Sequence, residues 1–440
     1  MGDRLPVEEL CAELIRFDTT NLGDGKSLLG ERAIAEFVAG HLTDAGLTPS
    51  LLEREPTRTN VVARVPGTDP ALAPLLVHAH LDVVPADASE WSVHPFAGEI
   101  RDGFVWGRGA VDMKDMCATV LSVLRRWAAE GRGPRRDIVL AFVADEEDRG
   151  DWGAHWLVAT HRSLFDGVAA AIGESGGYTV RATSAAGSPV RLYPVATAER
   201  GTAHLRLTAN GRAGHGSRRN DDNAVRKLLA AVQRLADHRW PVTLTPAVRA
   251  FFERAGAALG IPVDLSSDAA VDETLRRFGP AAKIAENTVR NSTTPTVLNA
   301  GYKVNVIPGV AQAQVDTWVL PGTREALLAE IDRLLGPDVH REFLADQPPV
   351  QAPVDSPWFA AMAAALEAAD PGAVVVPFCM GGGTDAKAFA RLGIDCYGFA
   401  PLWLPENFDH RVMAHGVDER VPVEGLRFGV DVLDRFLSAV

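Results

Sequence analysis

The residues best suited to chemistry sit where apolar runs end. His80-Leu81-Asp82-Val83-Val84-Pro85 closes the apolar run that begins at Leu75. On an extended segment, residues i and i+2 point to the same side. A carboxylate at Asp82 is therefore placed to orient a His80 that binds a metal through its other nitrogen. Asp112 follows Gly107-Arg108-Gly109, a loop rich in small residues. Asp145-Glu146-Glu147 closes the next apolar run and Glu174 the one after it. Taken singly, each carboxylate reads as a helix cap or a solvated charge. Taken together on one rim, they repel one another unless a cation holds them. His415, in His415-Gly416-Val417-Asp418-Glu419-Arg420, would complete such a set.

The elements that must position these groups follow from periodicity. Residues 7–17 and 31–47 are expected to be amphipathic helices, and 60–65 and 75–80 strands. Residues 91–109 suggest a hairpin turning at Asp102-Gly103; 112–130 and 152–164 are expected helices, and 138–144 and 168–173 buried strands. Continuous apolar strands separated by helices imply an α/β fold with a mostly parallel sheet covered on both faces. Such sheets bind ligands beyond the carboxyl ends of their strands.

The texture changes after about residue 185. Residues 202–208 alternate as a half-exposed strand, and 223–238 form a helix. Two strands, 299–307 and 311–320, are expected around Pro308-Gly309, then a helix at 324–335 and a strand near 339–344. The order βαββαβ predicts a small antiparallel α+β sheet with two helices on one face, interrupted by residues 241–290. The α/β texture returns at Ser356, with a helix at 358–369, a strand at 374–378 and a final helix at 423–437. The expected organisation is one discontinuous domain, 1–190 and 353–440, with a second domain, 191–352, inserted.

Composition bounds the function. The chain has 440 residues, which favours two or three domains. Apolar residues make up 47% and charged residues 23%, which excludes a disordered chain or a coiled-coil rod. A net charge of −13 with no Lys/Arg run argues against nucleic acid or an anionic membrane as partner. Met1-Gly2-Asp3-Arg4-Leu5-Pro6 lacks the apolar stretch of a signal peptide, and Pro6 spoils a myristoylation site. No apolar run reaches the ~18 residues of a membrane span. Cys11, Cys117, Cys379 and Cys396 are scattered, as expected of reduced thiols in a cytoplasmic protein.

With these motifs in this order, the sequence resembles the M20 family of metallopeptidases along nearly its whole length. The resemblance rests on His80-x-Asp82, Gly109-x-x-Asp112-x-Lys114, Asp145-Glu146-Glu147, Gly173-Glu174, Gly214-His215, Asn305-Val306-Ile307-Pro308, Gly382-Gly383-Thr384-Asp385 and His415-x-x-x-Glu419. It implies two metal ions. His80, Asp112 and Glu174 would hold one; Asp112, Glu147 and His415 would hold the other, with Asp112 bridging. Asp82 would orient His80, and Glu146 would be the general base. The Asp112–Met113 bond is expected to be cis, as in relatives.

A ligand set of nitrogen and oxygen suits Zn2+, and also Mn2+ or Co2+. A metal-activated water then supplies the nucleophile that an amide needs. The resemblance further makes the inserted domain a lid and dimerisation domain. His215 would reach the partner's active site in a homodimer and stabilise the oxyanion. The expected substrate is a small molecule, an N-acyl amino acid or short peptide. A dipeptidase, a carboxypeptidase or a pathway-specific deacylase is the alternative. An inactive binding protein would show a broken ligand set, and every ligand is present.

The sequence departs from relatives in one place. Where many carry Asp-x-Arg in the inserted domain, this chain has Asp316-Thr317-Trp318. Trp makes no bidentate carboxylate contact, which argues against a diacid substrate. Arg218 and Arg219 are candidate replacement charges, and equally solvated loop arginines. Backbone N–H groups of the Gly381-Gly382-Gly383-Thr384 loop are candidate donors to a substrate carboxylate. Trp403 and Phe408 are read as core first and pocket lining second. Gly173-Glu174-Ser175-Gly176-Gly177 satisfies G-x-S-x-G, but no helical pattern follows it, so a nucleophile elbow is rejected.

Overall fold

The computed structural model describes residues 5–23 and 25–440. The opening Met1-Gly2-Asp3-Arg4, on which the reading of the N-terminus partly rests, lies outside them. The larger of two principal sheets has ten strands. At its centre Asp395–Gly398, Ala170–Gly173, Leu75–His80 and Ile138–Val143 run parallel. Thr59–Val65 and Ser50–Glu53 extend it antiparallel on one side. Pro189–Glu199 and Val180–Thr183 extend it on the other, where Val374–Met380 also joins Pro189–Glu199 in parallel. The fold is α/β as expected, with a mixed sheet: a parallel centre between antiparallel flanks.

Of the central strands, Leu75–His80, Ile138–Val143 and Ala170–Gly173 are buried at every position, and successive residues serve opposite layers. Leu75, Val77, Ile138 and Leu140 pack against the helices Val7–Ile15, Arg32–Asp44, Lys114–Glu130 and Val423–Ala439. Leu76, Val139 and Ala141 meet Ala154–Thr160 and Ala386–Ala390 on the other face. Lys114–Glu130 stops at Gly131, whose φ of 65° gives the left-handed cap that ends many helices. Asp434 ties the last helix to this one: it accepts from Trp127 at 2.7 Å, Arg132 at 2.7 Å and Arg126 at 3.1 Å.

The smaller sheet is antiparallel, in the order Ser292–Ala300, Val310–Val319, Gly201–Asn210, Val339–Gln347. Ala224–Asp237 and Arg324–Leu335 cover one face, which gives the expected βαββαβ order. One strand lies earlier than expected. It spans Ser292–Ala300, so that only Asn299 and Ala300 of the expected 299–307 belong to it; the chain turns at 301–305, and Val306–Ile307 pairs with Gly214–His215. Pro295 hides this strand from periodicity. It is tolerated because the strand is an edge, with a register shift just after Pro295.

Residues 241–290 hold two helices, Pro246–Leu259 and Asp268–Phe278, and a 3-10 turn, Gly279–Ile284. Phe251, Phe252 and Phe278 pack onto Leu192, Val376 and Phe378 of the large sheet. The segment interrupts the small domain in sequence and covers the large sheet in space. Among the described residues no helix is long and apolar enough to cross a membrane, and the four cysteines are buried and unpaired.

Candidate active site

Three adjacent parallel strands deliver the site. Leu75–His80 ends on His80, Ile138–Val143 leads into Asp145-Glu146-Glu147, and Ala170–Gly173 leads into Glu174. Their carboxyl ends therefore share one rim. Asp112 enters from the loop before Lys114–Glu130, across a cis bond to Met113. His415 enters from the turn after the short helix His410–Met413, with φ +60°.

Asp112 stands between two imidazoles. Its Oδ1 lies 3.0 Å from His80 Nε2 and its Oδ2 3.2 Å from His415 Nε2. His415 Nε2 is also 3.1 Å from Glu147 Oε2. Glu146 and Glu174 each bring an oxygen to 4.0 Å from His80 Nε2. The donor atoms of His80, Glu146 and Glu174, and those of His80, Asp112 and Glu147, lie within 4.8 Å of one another. The structure thus gathers His80, Asp112, Glu146, Glu147, Glu174 and His415.

The electrostatics reflect that crowding. Burial raises Glu146 well above its ordinary range, and the Glu174 charge adds to it. Burial and the Asp112 charge do the same to Glu174 and, less far, to Glu147. Burial also pushes Asp112 up, but the imidazoles of His415 and His80 outweigh it and hold its carboxyl far below the usual range. Hydrogen bonds to Asp112 and Glu147 raise His415 to about 10. These groups need positive charge among them, and Glu147 Oε1 is buried without a partner. Such a donor set fits divalent cations.

Asp82 acts differently from the simple i, i+2 picture. His80 Nδ1 meets the main-chain oxygen of Asp82 at 2.9 Å, while the carboxylate stands 3.7 Å away. That carboxylate accepts the backbone N–H groups of Glu146 and Glu147, both at 3.1 Å. Asn21 donates to it at 2.8 Å and to Asp145 at 3.2 Å. Arg58 joins Asp145 and Glu31, each at 2.9 Å. Sequence reasoning missed Asn21, Glu31 and Arg58, which lie in stretches without a motif. On the other side, Glu419 accepts from Arg108 at 2.6 Å and from the Val111 N–H at 2.8 Å. Arg108 also donates to the His415 carbonyl at 3.3 Å, bracing the loop that carries that histidine.

A cavity of about 500 Å3 opens over these groups. Gly382, Gly383, Trp318 and Met380 line one part; Lys283, Ile284, Asn287 and Thr288, from the 241–290 segment, line another. Ser175 lines it too, followed by the strand Val180–Thr183 rather than a helix. Thr384 is turned elsewhere: its N–H and hydroxyl both serve Glu199, at 2.7 and 3.1 Å. His215 is exposed, bonded to Ser217 Oγ at 2.8 Å, and does not line the cavity of its own chain. Arg218 and Arg219 are exposed as well. Trp403 lies against Arg181, and Phe408 stacks on Phe104.

The profile of Peptidase family M20/M25/M40 matches residues 76–439. The chain is 28% identical to the N-fatty-acyl-amino acid synthase/hydrolase PM20D1 of Homo sapiens over 435 residues, 96% of this chain and 85% of that protein. It is 29% identical to aminoacylase-1 of Sus scrofa over 417 residues, 93% and 90% of the two chains. In fold it is similar to an M20 family metallo-carboxypeptidase of Sulfolobus solfataricus, with a TM-score of 0.69 at 18% identity over 100% and 99% of the two chains. Human carnosine dipeptidase 1 is similar with a TM-score of 0.67 at 14% identity, over 98% and 95%.

Proposed function

This chain belongs to the M20/M25/M40 peptidase family and hydrolyses amide or peptide bonds; from that premise we propose that it cleaves the amide of an N-acyl amino acid. The observation that carries this reading is Asp112, whose two carboxylate oxygens face His80 and His415 among Glu146, Glu147 and Glu174. The relatives named for N-acyl amino acids and as aminoacylase favour that substrate class over a dipeptide.

His80, Asp112 and Glu174 would hold one divalent cation, and Asp112, Glu147 and His415 a second; nitrogen and oxygen donors suit Zn2+, with Mn2+ or Co2+ as substitutes. When bound, the pair supplies a Lewis acid for the carbonyl and lowers the pKa of water. Glu146, half-buried and raised in pKa, takes a proton from the attacking water and returns it to the leaving nitrogen. Asp82 fixes Glu146 through its backbone N–H. Gly382 and Gly383 offer their backbone to the carboxylate of the leaving amino acid; Thr384 supports that loop through Glu199.

We assign residues 1–190 and 353–440 to the catalytic domain and 191–352 to the insert that carries the lid. His215 would act in the active site of a second copy in a homodimer. Its exposure supports that reading, as do the exposed Leu298, Tyr302 and Val304 of the same region. Four unpaired cysteines suit a reducing, cytoplasmic setting.

The test is an amide-hydrolysis screen. N-acyl amino acids and dipeptides are offered to metal-loaded and chelator-stripped protein. Metal-dependent release of a free amine from N-acyl amino acids is the expected result. Release from dipeptides alone would move the assignment to a dipeptidase.

A further inference from the structure

Lys387 brings a buried ammonium up behind the glycine loop. It rises from the short helix Ala386–Ala390, and its side chain is only 2% exposed. A Cβ on Gly383 would lie 1.5 Å from Lys387 Nζ, so the ammonium stands where that side chain would be. Gly383 and Trp318 both line the active-site cavity, and the Trp318 ring is centred 5.9 Å from the same Nζ. Burial lowers the pKa of Lys387, and the charges of Glu199, Glu146 and Glu174 oppose that shift. The field of this cation therefore reaches two carboxylates of the site.

Its pairing inside the chain is incomplete. Among the described residues its nearest acid is Glu199, at 4.0 Å, which is longer than a hydrogen bond. Both oxygens of Glu199 already accept from Thr384. A buried charge without a close partner is costly. The neighbouring cations are committed elsewhere. Arg200 donates to the Gly381 carbonyl at 2.8 Å and to Ser292 Oγ at 3.0 Å. Arg411 holds Asp409 through two nitrogens, at 3.2 and 3.0 Å. Lys283 lies 3.5 Å from Asp409 with its side chain 54% exposed, where solvent and salt screen it.

Asp112, Glu146, Glu147 and Glu174 line the same cavity. An entering anion is repelled by that wall and drawn to the edge where a cation stands. We propose that Lys387 is the charge partner of the substrate's carboxylate, which it holds at the Gly382–Gly383 edge beside Trp318. This rests on the cavity being the hydrolytic site for an N-acyl amino acid. It adds the residue that makes a free carboxylate a requirement.

The experiment compares kcat/KM for N-acetyl- and N-octanoyl-leucine with the matching N-acyl-leucinamides, read as release of the acyl acid by metal-loaded enzyme. The wild type should prefer the free acids. Lys387→Met should cut that preference about 10- to 100-fold, through KM more than kcat, with the leucinamides little affected. Gly383→Ala, whose methyl would displace the ammonium, is the second variant should the first fail to fold, and should produce the same selective loss. An equal fall for acids and amides would leave Lys387 a structural role only and overturns the proposal. So does a preference that survives Lys387→Met, or one lost in Lys283→Met instead. Failure of the wild type to cleave any of the four compounds overturns the hydrolytic reading. Titration calorimetry with N-octanoyl-leucine and its amide then decides the role of Lys387. Tighter binding of the acid that is lost in Lys387→Met supports it, and equal binding of the two by the wild type overturns it.

Discussion

Asn21 holds Asp82 from behind: its side-chain amide donates to the Asp82 carboxylate at 2.8 Å, and both residues are buried. The carboxylate in turn grips the N–H groups of Glu146 and Glu147. Asn21 therefore stands two hydrogen bonds from the backbone of Glu146 and Glu147. Removing such an outer partner typically costs 10–100-fold in metal affinity or activity. Asn21→Ala is expected to lower kcat by about that factor, with KM little changed. Steady-state kinetics and metal analysis on the same preparation check it; an unchanged kcat would remove Asn21 from the positioning network.

Glu146 should separate chemistry from metal binding. Glu146→Gln keeps the shape of the side chain and removes its basicity. Loss of a positioned general base costs about 10²–10⁴-fold. The expected outcome is that loss in kcat, with metal stoichiometry equal to wild type by mass spectrometry. Loss of one metal per chain would instead make Glu146 a ligand, as its 4.0 Å approach to His80 allows.

Gly153 is a packing constraint on the loop that carries Glu146. A Cβ there would sit 1.8 Å from the carbonyl oxygen of Ala144, one residue before Asp145. Gly153→Ala must shift backbone, and overpacking of this kind costs about 2 kcal/mol. Gly40→Ala, in the helix Arg32–Asp44 with nothing within 4 Å, should be neutral or slightly stabilising. Urea midpoints of the two variants provide the contrast, and Gly153→Ala should also lose turnover.

Asp434 sets an acid limit on stability. Burial pushes its carboxyl up, but bonds from Arg132, Trp127 and Arg126 outweigh that and hold it at about 2, against 3.8 when unpaired. A carboxylate depressed in the native state stabilises fully above its unfolded value. That stability is lost as pH falls through the native one, and here it amounts to about 2 kcal/mol. Urea unfolding followed from pH 6 to pH 3 should show stability falling on the acid side. In Asp434→Asn the level at pH 6 should be lower and the acid slope shallower.

The site was legible in the sequence where local pattern and chemistry coincide. His80, Glu147 and Glu174 follow runs whose burial at every position marks central strands. What escaped was set by distance in the chain. Asn21, Glu31 and Arg58 have no periodic signature, and they matter only because folding brings them to Asp82 and Asp145. Thr384 belongs to a recognisable loop, yet its donors are claimed by Glu199, 185 residues away. The strand Ser292–Ala300 was obscured by Pro295, whose missing N–H matters little at a sheet edge.

The segment 241–290 supplies no strand to either principal sheet. It rests on the large sheet through aromatic packing and lends Lys283, Ile284, Asn287 and Thr288 to the cavity wall. Residues His80, Asp112, Glu174 and His415 are anchored elsewhere. Part of the cavity wall is therefore carried by a piece of chain separate from the one that presents the clustered histidines and carboxylates. Changes of length or composition in this surface cassette would retune selectivity while the strand ends that carry the chemistry stay where they are.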